Sequence, residues 1–333
     1  MGVTIKDIAK LANVSHTTVS RALNDSPLIK EETKDKIKAL AKQLNYVPDY
    51  NAKSLVLQKS YTIGLFFTTI NQGTSPSFFY ETVRGVNSVI TEDYNLVVRG
   101  IDAYNDFSAI NDKRFDGIIL MSQSDEDNAL IYSVLQKKIP LVVLNRELEE
   151  NSIINILSDD QVGSFKAVKY LIENGHRNIA IIEGKEGFKS TKERRDGFLK
   201  AFIDHKLPVT KEYMVRGNYD MESGYRAMEQ LLSLQNVPTA VFCSNDDMAV
   251  GAMKAAFENG LTVPNDISIM GFDDIGFSNY TTPALTTVKR PIEEVSRKGG
   301  EKLLELMDKQ TDKGEKMYIN TELVIRDSVC KRK

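Results

Sequence analysis

Residues 1–24 read MGVTIKDIAKLANVSHTTVSRALN, and two helix starts are written into them. Thr4 precedes the apolar-periodic positions Ile5, Ile8 and Ala9 and has Asp7 three residues on, the arrangement of an N-cap with its capping-box partner. A first helix is therefore expected from about Ile5. The period breaks at Ala12, Asn13 and Val14, and Ser15 offers a second N-cap ahead of His16–Leu23. In that second segment Val19, Ala22 and Leu23 share a face by i, i+3, i+4 spacing and are expected to pack on Ile8 and Ala9. His16, Thr17, Ser20 and Arg21 are left pointing outward. Two short helices joined by a tight turn, the second presenting small polar groups and one guanidinium near its start, suit a DNA major groove. There an arginine can bond guanine O6 and N7 together.

Working outward, Glu31 to Leu44 is a third amphipathic segment with Ile37, Leu40, Ala41 and Leu44 on its apolar face, ending at Asn45, Tyr46, Val47 and Pro48. Three short helices around one core make a complete small unit. Residues 1–60 hold 10 Lys+Arg against 6 Asp+Glu, which leaves 33 against 40 for the rest of the chain. The positive charge thus lies where phosphate would be met, on a chain whose net charge is −3.

VTIKDIAKLANVSHTTVSRALN (residues 3–24) followed by LNYVPDYNAKSLVLQKS (residues 44–60) resembles the headpiece and hinge of the lactose/galactose-repressor family of bacterial transcription regulators. The resemblance extends along nearly the whole chain. It implies base-reading roles for His16, Thr17 and Arg21, and DNA-backbone contacts for Thr4, Ser15, Ser20, Asn24 and Tyr46. DYNAKSLVL matches the family's hinge helix, with Ala52, Lys53 and above all Leu55 at the minor groove. An apolar wedge there kinks the duplex and lets both headpieces of a dimer engage it. Tyr50 departs from the pattern, being bulkier than the small residue often found at its position.

The chain's 333 residues exceed one ordinary domain. The expected division is a helix-turn-helix headpiece over residues 1–48, a hinge helix and linker over 49–60, and an effector-binding and dimerisation core over 61–333. The core's N-lobe is expected at about 61–158 plus 290–318, and its C-lobe at about 159–289 plus 319–333. From Tyr61 short apolar runs alternate with helical-period stretches. YTIGLFF, NLVVRG, FDGIILM and PLVVL form one series, and NIAIIEG, TAVFCS and ISIMGF a second that repeats it in kind and order. Two α/β lobes of parallel sheet follow, like those of periplasmic binding proteins.

In such sheets ligands lie beyond the carboxyl ends of the strands. The polar residues placed there are Thr68, Thr69, Ser122, Asn145, Arg146, Glu183, Asn245, Asp246, Asp273 and Asp274, converging on an interlobe cleft. Asn245 and Asp273 suit sugar hydroxyls, Arg194 offers a planar donor fork, and Tyr219 can stack on a sugar's apolar face. The resemblance implies effector contacts at Arg194 of STKERRDGF, Asn245 of FCSNDDMAVGAM and Asp273 of IMGFDD, and the effector set is completed by Tyr219, Ser122 and Asn145. Asp246 reads as the cap of the helix bearing Met248 and Met253, Asp274 as structural, and His176 as part of a helix-to-strand turn.

Catalysis is not expected. The chain has no P-loop, no GxSxG and no GxGxxG after the first strand, and its three histidines lack a nucleophile partner. The pairs Asp159/Asp160 and Asp273/Asp274 are adjacent in sequence, so in strands they would point oppositely. Cys243 and Cys330 form no metal-ligand spacing and no disulfide framework, and no cofactor or metal is expected. With no run of 18 apolar residues and no apolar signal core, a cytoplasmic protein without a membrane partner is expected.

The expected partners are double-stranded DNA bearing a pseudo-palindromic operator, a sugar or sugar-phosphate effector, and a second copy of the chain. The C-terminal VIRDSVCKRK carries no leucine heptad, so a dimer and no tetramer is expected. Two other classes share part of this pattern. A sugar receptor for transport would share the core but not the headpiece, and a sugar-metabolising enzyme would need a phosphate loop or acid/base pair. Among regulators, the alternative is a carbon-catabolite regulator that uses a phosphorylated carrier protein as corepressor. That subgroup uses basic residues on the helix in VKRPIEEVSRKGGEKLLELMDK; Lys302 is present, but Leu306 stands where a second basic residue would be.

Overall fold

The computed structural model describes residues 3–46, 59–71, 73–90, 94–150, 152–308 and 314–332. The hinge positions Ala52, Lys53 and Leu55, with Pro48 and Tyr50, lie outside them. The chain divides into two compact units, Met1–Ser60 and Tyr61–Lys333.

The first unit is three helices, α1 (Ile5–Ala12), α2 (His16–Leu23) and α3 (Glu31–Gln43). Thr4 caps α1 as its sequence implies, its backbone N–H and hydroxyl both donating to Asp7 Oδ2 at 2.8 and 2.7 Å. Ser15 Oγ accepts from Thr18 N at 3.1 Å to start α2. Ala12 does not break α1 as expected. It is the last helical residue and is buried, and the break falls one residue later at Asn13, whose φ of 56° ends the helix in the left-handed region. Ile8, Ala9, Ala12, Val19, Ala22, Ile37 and Ala41 form the core, with Leu23, Leu40, Leu44 and Tyr46 packed against it.

Among the described residues the second unit holds two parallel sheets and a two-stranded antiparallel ribbon. The first is six-stranded and wholly parallel: β1 (Thr62–Phe67), β2 (Asn95–Gly100), β3 (Gly117–Met121), β4 (Leu141–Leu144), β5 (Ile154–Ser158) and β11 (Lys316–Ile319), in the order β11-β5-β4-β3-β1-β2. Alternate side chains leave a strand on opposite faces, so a strand buried on both sides reads as one continuous apolar run. Ile63, Leu65, Phe67, Ile119, Met121, Val142 and Leu144 face one core, shared with α4 (Pro76–Asn87) and α10 (Ile292–Met307). Phe66, Ile118, Leu120, Leu141 and Val143 face the other, shared with α5 (Asn128–Gln136). Removing each such side chain from water stabilises by about 1.5–3 kcal/mol.

The second sheet follows the same rule with four parallel strands: β6 (Ile179–Glu183), β7 (Met214–Arg216), β8 (Ala240–Cys243) and β9 (Ser268–Met270), ordered β7-β6-β8-β9. Helices α6 (Asp160–Glu173) and α7 (Lys189–Asp204) cover one face, and α8 (Met221–Leu232) and α9 (Asp246–Glu258) the other. The strands β10 (Thr287–Lys289) and β12 (Glu322–Val324) pair antiparallel beside it. Short strands β5, β7, β10, β11 and β12 have no counterpart among the apolar runs read from the sequence. His176 lies in the turn between α6 and β6, buried, with its ring nitrogens 3.0 Å from Thr239 Oγ1 and 3.1 Å from Cys330 O. Among the described residues, no helix is long and apolar enough to cross a membrane.

Candidate functional site

On the first unit, His16, Thr17 and Arg21 are exposed on one side of α2, and no described residue bonds their side chains. Ser20 is half-buried. Ser15 and Thr4 spend their hydroxyls on helix capping, and Asn24 donates its amide to Ser20 O at 2.8 Å, closing α2. Tyr46 packs partly on the helical core.

On the second unit a small cavity opens between the sheets, lined by Gly73, Ser75, Phe78, Gln123, Asn145, Ser190, Arg194, Tyr219, Asn245, Asp273 and Arg290. Five of the six effector candidates, Arg194, Asn245, Asp273, Tyr219 and Asn145, meet here. Ser122 does not. Its hydroxyl donates to Asp127 Oδ2 at 2.6 Å and receives Arg146 Nε at 2.7 Å, while the neighbouring Gln123 reaches the cavity.

Three cavity residues, Asn145, Tyr219 and Asp273, hold φ at 73°, 64° and 110°. For residues with a Cβ this costs of order 1–3 kcal/mol each, and such strain gathers at binding sites. Tyr219 is fully enclosed, with its hydroxyl 2.9 Å from both Ser190 Oγ and Thr191 Oγ1. Asn245 caps α9 by accepting from Met248 N at 3.0 Å and donates to Tyr219 O at 3.1 Å. This corrects the reading of Asp246 as the cap. Asp246 lies inside the first turn, where it accepts from Ile275 N, Ser278 Oγ and Thr287 Oγ1. Asp274 is structural as expected, paired with Arg326 at 2.7 Å.

Behind the cavity wall lies a buried ion cluster. Arg194, 2% exposed, donates to Asp160 Oδ2 from Nε (3.0 Å) and Nη2 (2.8 Å), to Asp273 Oδ1 from Nη2 (3.1 Å), and to Ser244 O. Its guanidinium stacks 3.9 Å from the Phe272 ring centre. Arg290 meets Asp160 Oδ1 at 3.0 Å. The carboxylate pairs are thus not in strands: Asp159 stands just before α6 and accepts from Thr321 N, Asp160 opens the helix, and one member of each sequence pair, Asp160 and Asp273, meets its counterpart across Arg194.

Burial opposes the ionised form of Asp160, but Arg290 and Arg194 outweigh it and hold the carboxyl below its usual range. At Asp273 burial wins over both arginines, and its pKa is raised. Asp247, 5% exposed, is pushed up to about 6 by burial and by Asp273, against a hydrogen bond from Ser75 on the other side of the cavity.

Three further carboxyls are raised toward neutrality, the first being Asp246, pushed up to about 7 by burial and by Asp273 against its hydrogen bonds. Glu81 is pushed up to about 7 by burial and by Asp273 and Glu293, opposed by Arg290, and Glu193 to about 7 by burial and by Asp160. Their folded-state pKa values lie above the unfolded ones, so between about 4.5 and 7 the native chain binds protons that the unfolded chain has released. Their contribution is therefore present at low pH and lost as pH rises through about 7. The melting temperature of the full chain is expected to fall from pH 6 to pH 8, and Glu81→Gln to flatten that slope by stabilising at pH 8. A variant whose slope matches the wild type contradicts the assignment.

Sequence reasoning missed Asp160, Ser190 and Arg290. Arg290 follows β10, which carries no long apolar run to flag it, and the arginines that pair with Asp160 lie more than thirty residues away. Among the described residues, no group of three or more His, Cys, Asp or Glu side chains could hold a metal.

Residues 4–49 match the family described as bacterial regulatory proteins, lacI family, and residues 168–329 match a periplasmic binding protein-like domain. The chain is 63% identical over 327 residues to a probable HTH-type transcriptional repressor ExuR of Bacillus subtilis (strain 168), with 98% of each chain covered. Among solved structures it resembles the lac repressor dimer bound to operator and the anti-inducer ONPF (26% identity, TM-score 0.84, 99% of this chain and 100% of that one). It also resembles the complex of the transcriptional regulator CelR with cellobiose (27% identity, TM-score 0.75, 98% and 99% covered).

Proposed function

Because the chain belongs to the lacI family of bacterial regulatory proteins, and is on that ground a DNA-binding transcriptional repressor and no enzyme, we propose that it controls carbohydrate-utilisation genes in the cytoplasm under the command of a sugar. It acts as a homodimer on a pseudo-palindromic operator. His16, Thr17 and Arg21 read bases, Thr4, Ser15, Ser20, Asn24 and Tyr46 hold the DNA backbone, and Ala52, Lys53 and Leu55 engage the minor groove. A sugar or sugar derivative binds in the cavity against Arg194, Asn245, Asp273, Tyr219 and Asn145. Binding draws the lobes together, reorients them at the dimer interface and withdraws the paired hinges from the minor groove.

The observation that carries this reading is the small cavity lined from both sheets by amide, carboxylate, hydroxyl and guanidinium groups. Two relatives support it, one solved on operator DNA and one with cellobiose. Nothing favours the carrier-protein alternative. The Lys302 ammonium is already shared by Glu305 at 3.0 Å and Glu315 at 3.3 Å, and Leu306 packs on the core of the first sheet.

The test is a DNA-binding titration of the full chain with and without a panel of sugars and sugar phosphates. Asn245→Ser keeps a capping oxygen for α9 but withdraws the amide from the cavity. It is expected to bind operator as the wild type does and to need about ten- to a hundredfold more sugar for release, the cost of about 1–3 kcal/mol for a lost buried partner. An unchanged sugar response in this variant places the effector elsewhere.

A further inference from the structure

Beside the cavity an open groove separates the lobes. One wall is α4 and the start of α10, from the lobe of the first sheet, and the other is the turn from Asp273 to Phe277, from the lobe of the second. The lobes are shut in this structure, since across the mouth the Lys189 N–H donates to Gln123 O at 2.9 Å. Asp273 lines both the groove and the cavity, so a charge placed in the one is felt in the other.

The charges of the groove are nearly all committed. Arg84 pairs with Glu293 at 3.2 Å, Asp274 with Arg326 at 2.7 Å, Asp273 with Arg194 at 3.1 Å and Arg290 with Asp160 at 3.0 Å, while Arg297 is taken by Glu301. Tyr80, Lys289 and Glu294 are exposed to solvent. Glu81 differs. It is half-buried on α4, it faces Asp273 and Asp274 of the other lobe, and among the described residues nothing donates to its carboxyl. Burial, with Asp273, Glu293 and Asp274 and against Arg290, pushes that carboxyl up to about 7.

We propose that Glu81 is a proton switch on lobe closure, carrying a proton while the cleft is shut and releasing it as the lobes part. The inference rests on the cavity being the effector site and adds how that site is regulated. Shutting the cleft strips water from Glu81 and sets two aspartates opposite it, so its ionised form is opposed by lost hydration and by repulsion together. Parting the lobes returns the water and withdraws Asp273 and Asp274, and the carboxyl falls back toward its ordinary range. Closure thus takes up a proton between that range and about pH 7, and a sugar that closes the cleft is held more tightly at pH 6 than at pH 8.

The experiment compares the full-length wild type with Glu81→Gln, an isosteric change that keeps the shape of the neutral carboxyl and is expected to fold and to bind operator. The first readout is sugar affinity by calorimetry at pH 6 and pH 8. The probes are D-glucose, D-galactose, cellobiose, D-glucuronate and D-galacturonate, none of which changes charge in that interval. The wild type is expected to bind its probe about three- to tenfold more weakly at pH 8 than at pH 6, and to take up a proton on binding at pH 6 when buffers of differing ionisation enthalpy are compared. Glu81→Gln should lose both effects and bind more tightly than the wild type at pH 8.

The second readout needs no ligand. It is hydrogen exchange at the Lys189 amide, which is bonded to Gln123 O only while the mouth is shut. At pH 8 this amide should be better protected in Glu81→Gln than in the wild type, and at pH 6 the two should agree. An affinity slope with pH, or a Lys189 protection at pH 8, that is the same in both proteins overturns the inference. Absence of binding by every probe, with the difference at Lys189 intact, overturns the sugar reading and leaves the switch standing.

Discussion

Replacing Arg194 by alanine is expected to destabilise the core by about 3–5 kcal/mol, the usual cost of stripping one partner from a buried ion pair. The sequence alone suggests a milder outcome, in which this arginine only meets the effector and its loss leaves a folded protein that still binds operator. Its surroundings argue otherwise. Arg194 lies against Asp160 and Asp273, each more than nine-tenths buried, and neither carboxylate can recover its lost hydration when the guanidinium goes. Asp160 would retain Arg290, whereas Asp273 would keep no bonded cation. Urea unfolding of the purified full chain measures the effect as a lowered midpoint. Arg194→Ala combined with Asp273→Ala should cost less than the sum of the two single changes, since the second removes the charge that the first had stranded. A midpoint equal to that of the wild type would show that the cluster contributes nothing to folding.

Arg21→Ala is expected to weaken operator binding by about 1–3 kcal/mol while leaving the headpiece folded. The guanidinium is exposed on α2 and touches none of the buried residues that hold the three helices together, so its loss removes a contact to DNA and little else. The loss should appear as relaxed preference at one base pair in each half-site. Binding to scrambled DNA, which depends on phosphate contacts, should change less. Anisotropy titrations on operator and scrambled duplexes at one salt concentration give the ratio. A ratio equal to the wild-type value removes Arg21 from the base-reading set.

The two expectations differ in how far they could be read from residue order. The headpiece was legible because every interaction that sets α1 and α2 is local. Thr4 meets Asp7, Ser15 meets Thr18, and Val19 and Ala22 follow from helical period. The long strands were legible for a similar reason, since a strand buried on both faces must be apolar throughout. Where the signal was weaker than one residue's spacing, it slipped: the polar residue that reaches the cavity after β3 is Gln123, not Ser122, and the cap of α9 is Asn245, not Asp246.

What the sequence by itself determined is the headpiece helices, the more apolar core strands in their order, and the polar residues at those strands' ends, all consequences of caps, periodicity and burial within a few residues. What only the tertiary structure decided is which charges share a partner. Asp160 and Arg290 are 130 positions apart, and Arg194 and Asp273 are 79 apart. Their pairing arises where two sheets bring strand ends and helix starts into one dry space, and in such a space a charge must find its opposite, however distant along the chain.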